Sequence, residues 1–285
     1  MAFDKKQIYI PYNFLKMEYD PIKNTISKFV KKNTFMRRVF YKLLGLMFLR
    51  EWYVKKRIKE IYSNNPPSDI FDAGSGFGQY SYFLAKKFKK MKLLGVDVKD
   101  DQIEDCNYFF SKMGYNNCRF EIADLTNIDY NNQFDFILSV DVMEHIEDDI
   151  GVFKRFYNAL HQNGRLLINT PSNLGGSDAH SEDDDSFIGE HVRLGYSKED
   201  ICSKLESAGF KVEHFEYTYG KYGKLYWKIG IKIPMLLLNV SKLFFIILPF
   251  YYLLTLEAII FYMMLDIGEK NKQSGTGILV IGKKI

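Results

Sequence analysis

At 285 residues the chain suits one large domain or a core with additions, and 47% hydrophobic residues, with 24 Phe and 20 Tyr, are enough for a true core. Its three cysteines, Cys106, Cys118 and Cys202, are odd in number and far apart, which excludes a disulfide framework or a cysteine metal cluster and suits a reducing, cytoplasmic compartment. The net charge of +4 hides an asymmetry: residues 1–60 hold three times as many basic as acidic residues, and the remainder is net acidic. Such a start is expected to meet an anionic surface, membrane or nucleic acid, or else to be the solvated face of a helix.

In chain order, Met1–Gln7 lacks the apolar run of a signal peptide, and residues 1–25 read as an irregular start. From Ile26 to Tyr62 the pattern is helical, basic and amphipathic, with a second helix from about Arg50 to Ile61, and Asn64-Asn65-Pro66-Pro67 ends it. Strands and helices then alternate, which predicts a parallel sheet. The expected strands are Asp69–Asp72, Lys92–Val98, Arg119–Ala123, Phe134–Val140, Gly164–Thr170, Phe210–Tyr219 and Gly277–Lys283. Helices are expected over Asp101–Met113, over Asp149–His161 and from an N-cap at Ser197 to Gly209.

The most informative stretch is Asp72-Ala73-Gly74-Ser75-Gly76-Phe77-Gly78, set between an apolar strand and the helical run from Gln79. Glycines there allow a tight turn that brings backbone close to a ligand at a helix N-terminus. The spacing is G-x-G-x-G, with Gln79 where a dinucleotide fingerprint needs the third glycine. Further on, Asp97-Val98, Asp124-Leu125 and Asp141 follow successive strands, at the carboxyl ends where open α/β sheets bind ligands.

Together these residues resemble the class I S-adenosylmethionine (SAM) dependent methyltransferases. The resemblance implies an α/β, Rossmann-like, seven-stranded and mostly parallel sheet with helices on both faces. It implies SAM as cofactor, held by Asp72, Gly74, Ser75, Gly76 and Gly78. In the family Asp97, with Val98 beside it, takes the ribose hydroxyls. Asp124 and Leu125 meet the adenine, and Asp141 faces the methionine part or the acceptor. Asp141-Val142-Met143-Glu144-His145 is similar to the E-x-x-E-H of ubiquinone-biosynthesis O-methyltransferases. There the corresponding side chains accompany a divalent cation, so Asp141, Glu144 and His145 are metal candidates. The leading expectation is no metal, with His145 as an acid/base or pocket group. His180 and His191 lie in the loop after the fifth strand, and His191 is a second candidate base. The run Glu182–Asp185 reads as a solvated loop tip.

Between the sixth and seventh strands about 50 residues intervene, including Ile229–Asn239 and the apolar run Leu243–Leu265, long enough as a helix to span a bilayer. Both flanking strands must join one sheet, so a single crossing is excluded. The expectation is a monotopic or peripheral contact at the inner face of a membrane, with a lid or dimer face as the alternative. The chain therefore divides into a basic helical N-terminal region (1–65), a SAM-binding core (66–220), an apolar helical insertion (221–274) and the last core strand (275–285). The expected function is SAM-dependent methylation, at oxygen, of a lipid-like or aromatic small molecule. One alternative is a nucleic-acid methyltransferase, disfavoured because no Asn-Pro-Pro-Tyr-like motif follows the fourth strand, so no nucleic acid partner is expected. Another is a non-catalytic SAM-binding regulator at a membrane.

Overall fold

The computed structural model describes residues 33–175, 192–241 and 243–285. The readings at residues 1–32, His180, Glu182–Asp185 and His191 lie outside the described residues. The alternating apolar runs form β1 (Asp69–Ala73), β2 (Lys92–Asp97), β3 (Cys118–Ile122), β4 (Phe134–Val140), β5 (Leu160–Pro171), β6 (Phe210–Thr218) and β7 (Gly277–Lys284). They join one seven-stranded sheet in the order β3-β2-β1-β4-β5-β7-β6. The first five pair in parallel, and β7 runs antiparallel between β5 and β6.

Strand side chains alternate between faces, so each strand feeds two cores. Ile70, Phe136, Leu138 and Leu279 face one core, and Phe71, Ile137 and Val280 the other. The first core is closed by α1 (Thr34–Met47), α2 (Leu49–Ile61), α3 (Gln79–Lys87) and α4 (Asp100–Lys112). The second is closed by α5 (Asp149–Ala159) and α6 (Lys198–Ser207). Ser197 caps α6 as expected, its hydroxyl accepting from Asp200 N at 3.0 Å.

Three boundaries differ from expectation. The expected helical run is broken at Asn33, which caps α1 by accepting from Phe35 N at 2.9 Å. The chain breaks again at Phe48, whose extended backbone (φ −102°, ψ 111°) separates α1 from α2. The fifth strand starts at Leu160 rather than Gly164, since a bulge opposite Phe134 and Phe136 lets Leu160 pair with Phe134.

The basic residues of α1 and α2 are not simply a solvated face. Arg37 is buried, and Arg57 donates to both carboxylate oxygens of Glu216 on β6, at 2.6 and 2.9 Å. Burial alone would raise the Glu216 carboxyl, but the bonds from Arg57 and the neighbouring His214 outweigh it and hold it at about 2. Its folded pKa is depressed, so this contribution is present above about pH 4.5 and is lost as pH falls toward 2. Urea unfolding followed from pH 5 down to 2 should show this loss, on the order of 3 kcal/mol, in the wild type and a flatter profile in Glu216→Gln.

The insertion folds as α7 (Lys221–Trp227), a π-helical turn (Lys228–Lys232), α8 (Ile233–Val240) and α9 (Phe244–Gly268). Its base is packed. The Tyr226 hydroxyl donates to Met47 O at the α1–α2 junction. Buried Asp266, near the end of α9, accepts from Tyr53 Oη at 2.7 Å and Gly223 N at 2.8 Å. The hydroxyls of Tyr251 and Tyr252 donate to Ile229 O and Gly230 O, at 2.6 and 2.9 Å, and so satisfy carbonyls of the π turn. Most other side chains of α9 are half-buried or exposed, and only 6% of its most apolar stretch is buried.

Candidate active site

The glycine run turns sharply because all three glycines have left-handed backbones, with φ of 87°, 50° and 71° at Gly74, Gly76 and Gly78. Gly74 N and Ser75 N donate to Val96 O at 2.9 and 2.8 Å, which hooks the turn over the end of β2. A Cβ on Gly74 would stand 2.2 Å from Val142 Cγ2, whereas one on Gly76 would meet nothing nearer than Gln102 Oε1 at 3.7 Å. The first glycine thus admits the turn past β4, and the second leaves open space over the backbone. Gly78 caps α3, whose N-terminus faces the same side.

Asp97 is tied into this turn. Its Oδ2 accepts from Gly76 N at 2.9 Å and its Oδ1 from Lys99 N at 3.0 Å. Each oxygen keeps a second lone pair for a ligand hydroxyl. Asp124 Oδ1 accepts from Thr126 N and Thr126 Oγ1, at 2.9 and 2.8 Å, and these bonds hold its carboxyl below the usual range. Leu125 is buried beneath it, while Val98 stands 64% exposed at the rim. Asp72 lies behind the loop: it is buried, accepts from Ser81 Oγ, and is pushed up to about 6 by burial and by the charge of Asp97.

Asp141 ends β4 with φ 51°, a left-handed backbone that is uncommon for a residue other than glycine. Its carboxylate forms an ion pair with Arg50 at the start of α2. His145 closes the short 3₁₀ turn Met143–His145, its N–H donating to Val142 O at 3.0 Å. Glu144 is buried behind that turn and accepts from Thr170 Oγ1 at 2.8 Å. Among the described residues no three His, Cys, Asp or Glu side chains converge as a metal site. Asp141 and Glu144 instead engage Arg50 and Thr170.

These residues border one cavity of about 1450 Å³. Gly74, Ser75, Gly76, Asp97, Val98, Asp124, Leu125, Asp141, Glu144 and His145 line it, whereas Asp72 and Gly78 support it from outside. Small-molecule pockets commonly measure ~300–1000 Å³, so a second molecule can lie beside a cofactor. An apolar part of the wall comes from Phe40 and Leu44 of α1 and from Trp227, Ile231 and Met235 of the insertion.

Sequence reasoning did not single out Arg37, Tyr41 or Arg50, the side chains of α1 and α2 that reach the site. The Arg37 guanidinium is 2% exposed and donates to Phe77 O inside the glycine run at 2.8 Å, to Tyr41 Oη at 2.6 Å and to Asp105 Oδ2 at 2.6 Å. Tyr41 Oη also donates to Phe77 O. Arg50 reaches the site as the partner of Asp141, and its N–H donates to Tyr219 Oη at 3.1 Å. The one available signal was Arg37 on the apolar stripe of Tyr41, Leu44 and Phe48, a place where a charge needs partners.

A mostly parallel sheet with a glycine turn after β1 and carboxylates at the next strand ends, all on one cavity, defines the class I SAM-dependent methyltransferase architecture. Residues 65–213, just over half of the chain, match the family model described as a methyltransferase domain. The chain belongs to that family and carries a SAM-dependent methyltransferase domain. The glycine turn with open space over Gly76 and the free lone pairs of Asp97 fit that cofactor.

Phosphoethanolamine N-methyltransferase 3 of Arabidopsis thaliana is 30% identical over 115 residues, covering 40% of this chain and 23% of that protein. (S)-coclaurine N-methyltransferase of Papaver somniferum is 24% identical over 166 residues, covering 58% and 44%. The chain thus spans less than half the length of these curated relatives. Among solved structures, phosphoethanolamine N-methyltransferase 2 of Haemonchus contortus in complex with SAM superposes with a TM-score of 0.61 at 16% identity, covering 91% of this chain and 60% of that one. At that identity the likeness is one of fold.

Proposed function

We propose that this methyltransferase acts on a hydroxyl of a lipid-like or aromatic small molecule drawn from the cytoplasmic face of a membrane. The observation that carries this reading is the continuity of the cavity's apolar wall with α9. Trp227, Ile231 and Met235 line the cavity, and the same insertion leads into a 25-residue helix whose most apolar stretch is only 6% buried. At ~1.5 Å per residue α9 is about as long as a bilayer core is thick. Both ends of the insertion return to neighbouring antiparallel strands, so the reading is of a helix lying in the interface.

SAM supplies a methyl group already activated by its sulfonium centre. In this reading Asp97 accepts from the ribose hydroxyls, the turn at Gly74–Gly78 holds the methionine part, and Asp124 with Leu125 borders the adenine. His145 takes the proton of the acceptor hydroxyl, and Asp141, held by Arg50, faces the acceptor. A second reading, transfer to an amine, draws on the names of the relatives, which are N-methyltransferases of phosphoethanolamine and coclaurine.

The test incubates the full chain with methyl-labelled SAM and, separately, a total lipid extract and bulk tRNA. The label should enter the chloroform phase of the lipid reaction, and fragmentation of that product should place it on oxygen. Label on nitrogen selects the second reading. Label in the tRNA and none in the lipid phase overturns both.

A further inference from the structure

Three lysines of the insertion, Lys224, Lys228 and Lys232, recur at every fourth residue along α7 and the π turn, and all three line the cavity. Four-residue spacing keeps side chains on one side of a helix, and here that side is the cavity wall. The turn that carries Lys228 and Lys232 is π-helical, a conformation frequent at functional sites. Lys232 also sits over the Trp227 ring at 5.4 Å, which puts a fluorophore beside the stripe.

The cavity is therefore polarised. Its strand end mixes signs, with Lys99 beside Asp97 and Asp124 and with Arg50 paired to Asp141, while its insertion end presents the three lysines among apolar side chains. An anion is therefore drawn to the insertion end more strongly than to the strand end. A molecule with its nucleophile at one end and its negative charge at the other fits in one direction only. Beyond the lysines the wall continues into exposed apolar side chains, with Leu236 41% and Val240 73% exposed on α8.

We infer that Lys224, Lys228 and Lys232 bind the anionic head group of the methyl acceptor, which is a phosphate-bearing amphiphile whose tail leaves along α8 and α9. This rests on the reading of a membrane-drawn acceptor and adds the charge and the direction of the molecule. The stripe sets the acceptor's nucleophile toward Asp141 and His145, and it rejects uncharged amphiphiles of the same shape.

The probe is dihexanoyl phosphatidic acid, short enough to dissolve as monomer, titrated into the full chain with SAM present and followed by tryptophan fluorescence and calorimetry. The wild type should bind it and shift its emission. Lys224→Gln/Lys228→Gln/Lys232→Gln should lose roughly a hundredfold in that affinity, with SAM affinity unchanged as the check on folding. Equal affinity in wild type and triple variant would overturn the inference. So would equally tight binding of uncharged dihexanoylglycerol, or of inorganic phosphate, which would make the site one for a free phosphate. Flotation with phosphatidylcholine vesicles separates this from the underlying reading. If both proteins float, the membrane contact stands whatever the lysines do; if neither floats, the membrane reading itself fails.

Discussion

Gly74→Ala is expected to lower SAM affinity at least about a hundredfold while leaving the fold intact. The residue sits at φ 87°, and the new Cβ would lie 2.2 Å from Val142 Cγ2. The left-handed backbone alone disfavours alanine by roughly 1–2 kcal/mol. The clash adds to this, because Val142 is fixed by the turn after Asp141 and cannot swing away without moving the end of β4. The turn is the part that yields, carrying Gly76 away from Asp97. The Gly74→Ala/Val142→Ala double variant removes the clash and keeps the backbone cost, so it should recover part of the affinity. Calorimetry with SAM, beside circular dichroism of both variants, reads the result. Wild-type affinity in Gly74→Ala would show that this turn does not hold the cofactor.

Arg37→Ala is expected to destabilise the protein by about 3–5 kcal/mol. The guanidinium is almost wholly enclosed and joins α1 to α4 and to the glycine turn through Asp105 Oδ2 and Phe77 O. Removing it takes the guanidinium from the Asp105 carboxylate and a donor from the Phe77 carbonyl of the glycine turn. Arg37→Lys should not restore stability, since an ammonium cannot span Tyr41, Asp105 and Phe77 with a planar fork. Tyr41→Phe should cost less, because it removes a hydroxyl and no charge. Urea denaturation of the three variants ranks them, and a loss below about 1 kcal/mol in Arg37→Ala would place the clamp outside the folding unit.

The sequence was most legible where local geometry is written in adjacent residues. The glycine spacing reports left-handed backbone, and an Asp directly after a β-run reports a strand end, so Gly74, Asp97, Asp124 and Asp141 could be placed without knowing what faces them. The sheet followed from the alternation of apolar runs. What stayed hidden were partnerships between distant residues. Arg50 and Asp141 lie in different elements, and charge counting assigns Arg50 to a surface when it is a neighbour of the site. Glu144 was grouped with Asp141 and His145 by the resemblance to E-x-x-E-H, and its bond with Thr170 across the 3₁₀ turn has no mark in the sequence. The insertion's length and apolarity were plain, whereas Tyr226 and Asp266, which weld its base to α1 and α2, have no local pattern to announce them.

The neck of the insertion is narrow: Thr276 N donates to Tyr219 O at 3.2 Å, so the chain leaves and returns at neighbouring points. A protein held by a single terminal anchor can swivel about its linker and sample every orientation. Here the insertion has both ends sewn into adjacent strands and its base packed against α2. If α9 rests in a bilayer, the mouth of the cavity keeps a constant tilt toward the lipid surface. The search for an acceptor then runs over an area, by lateral diffusion, instead of through a volume.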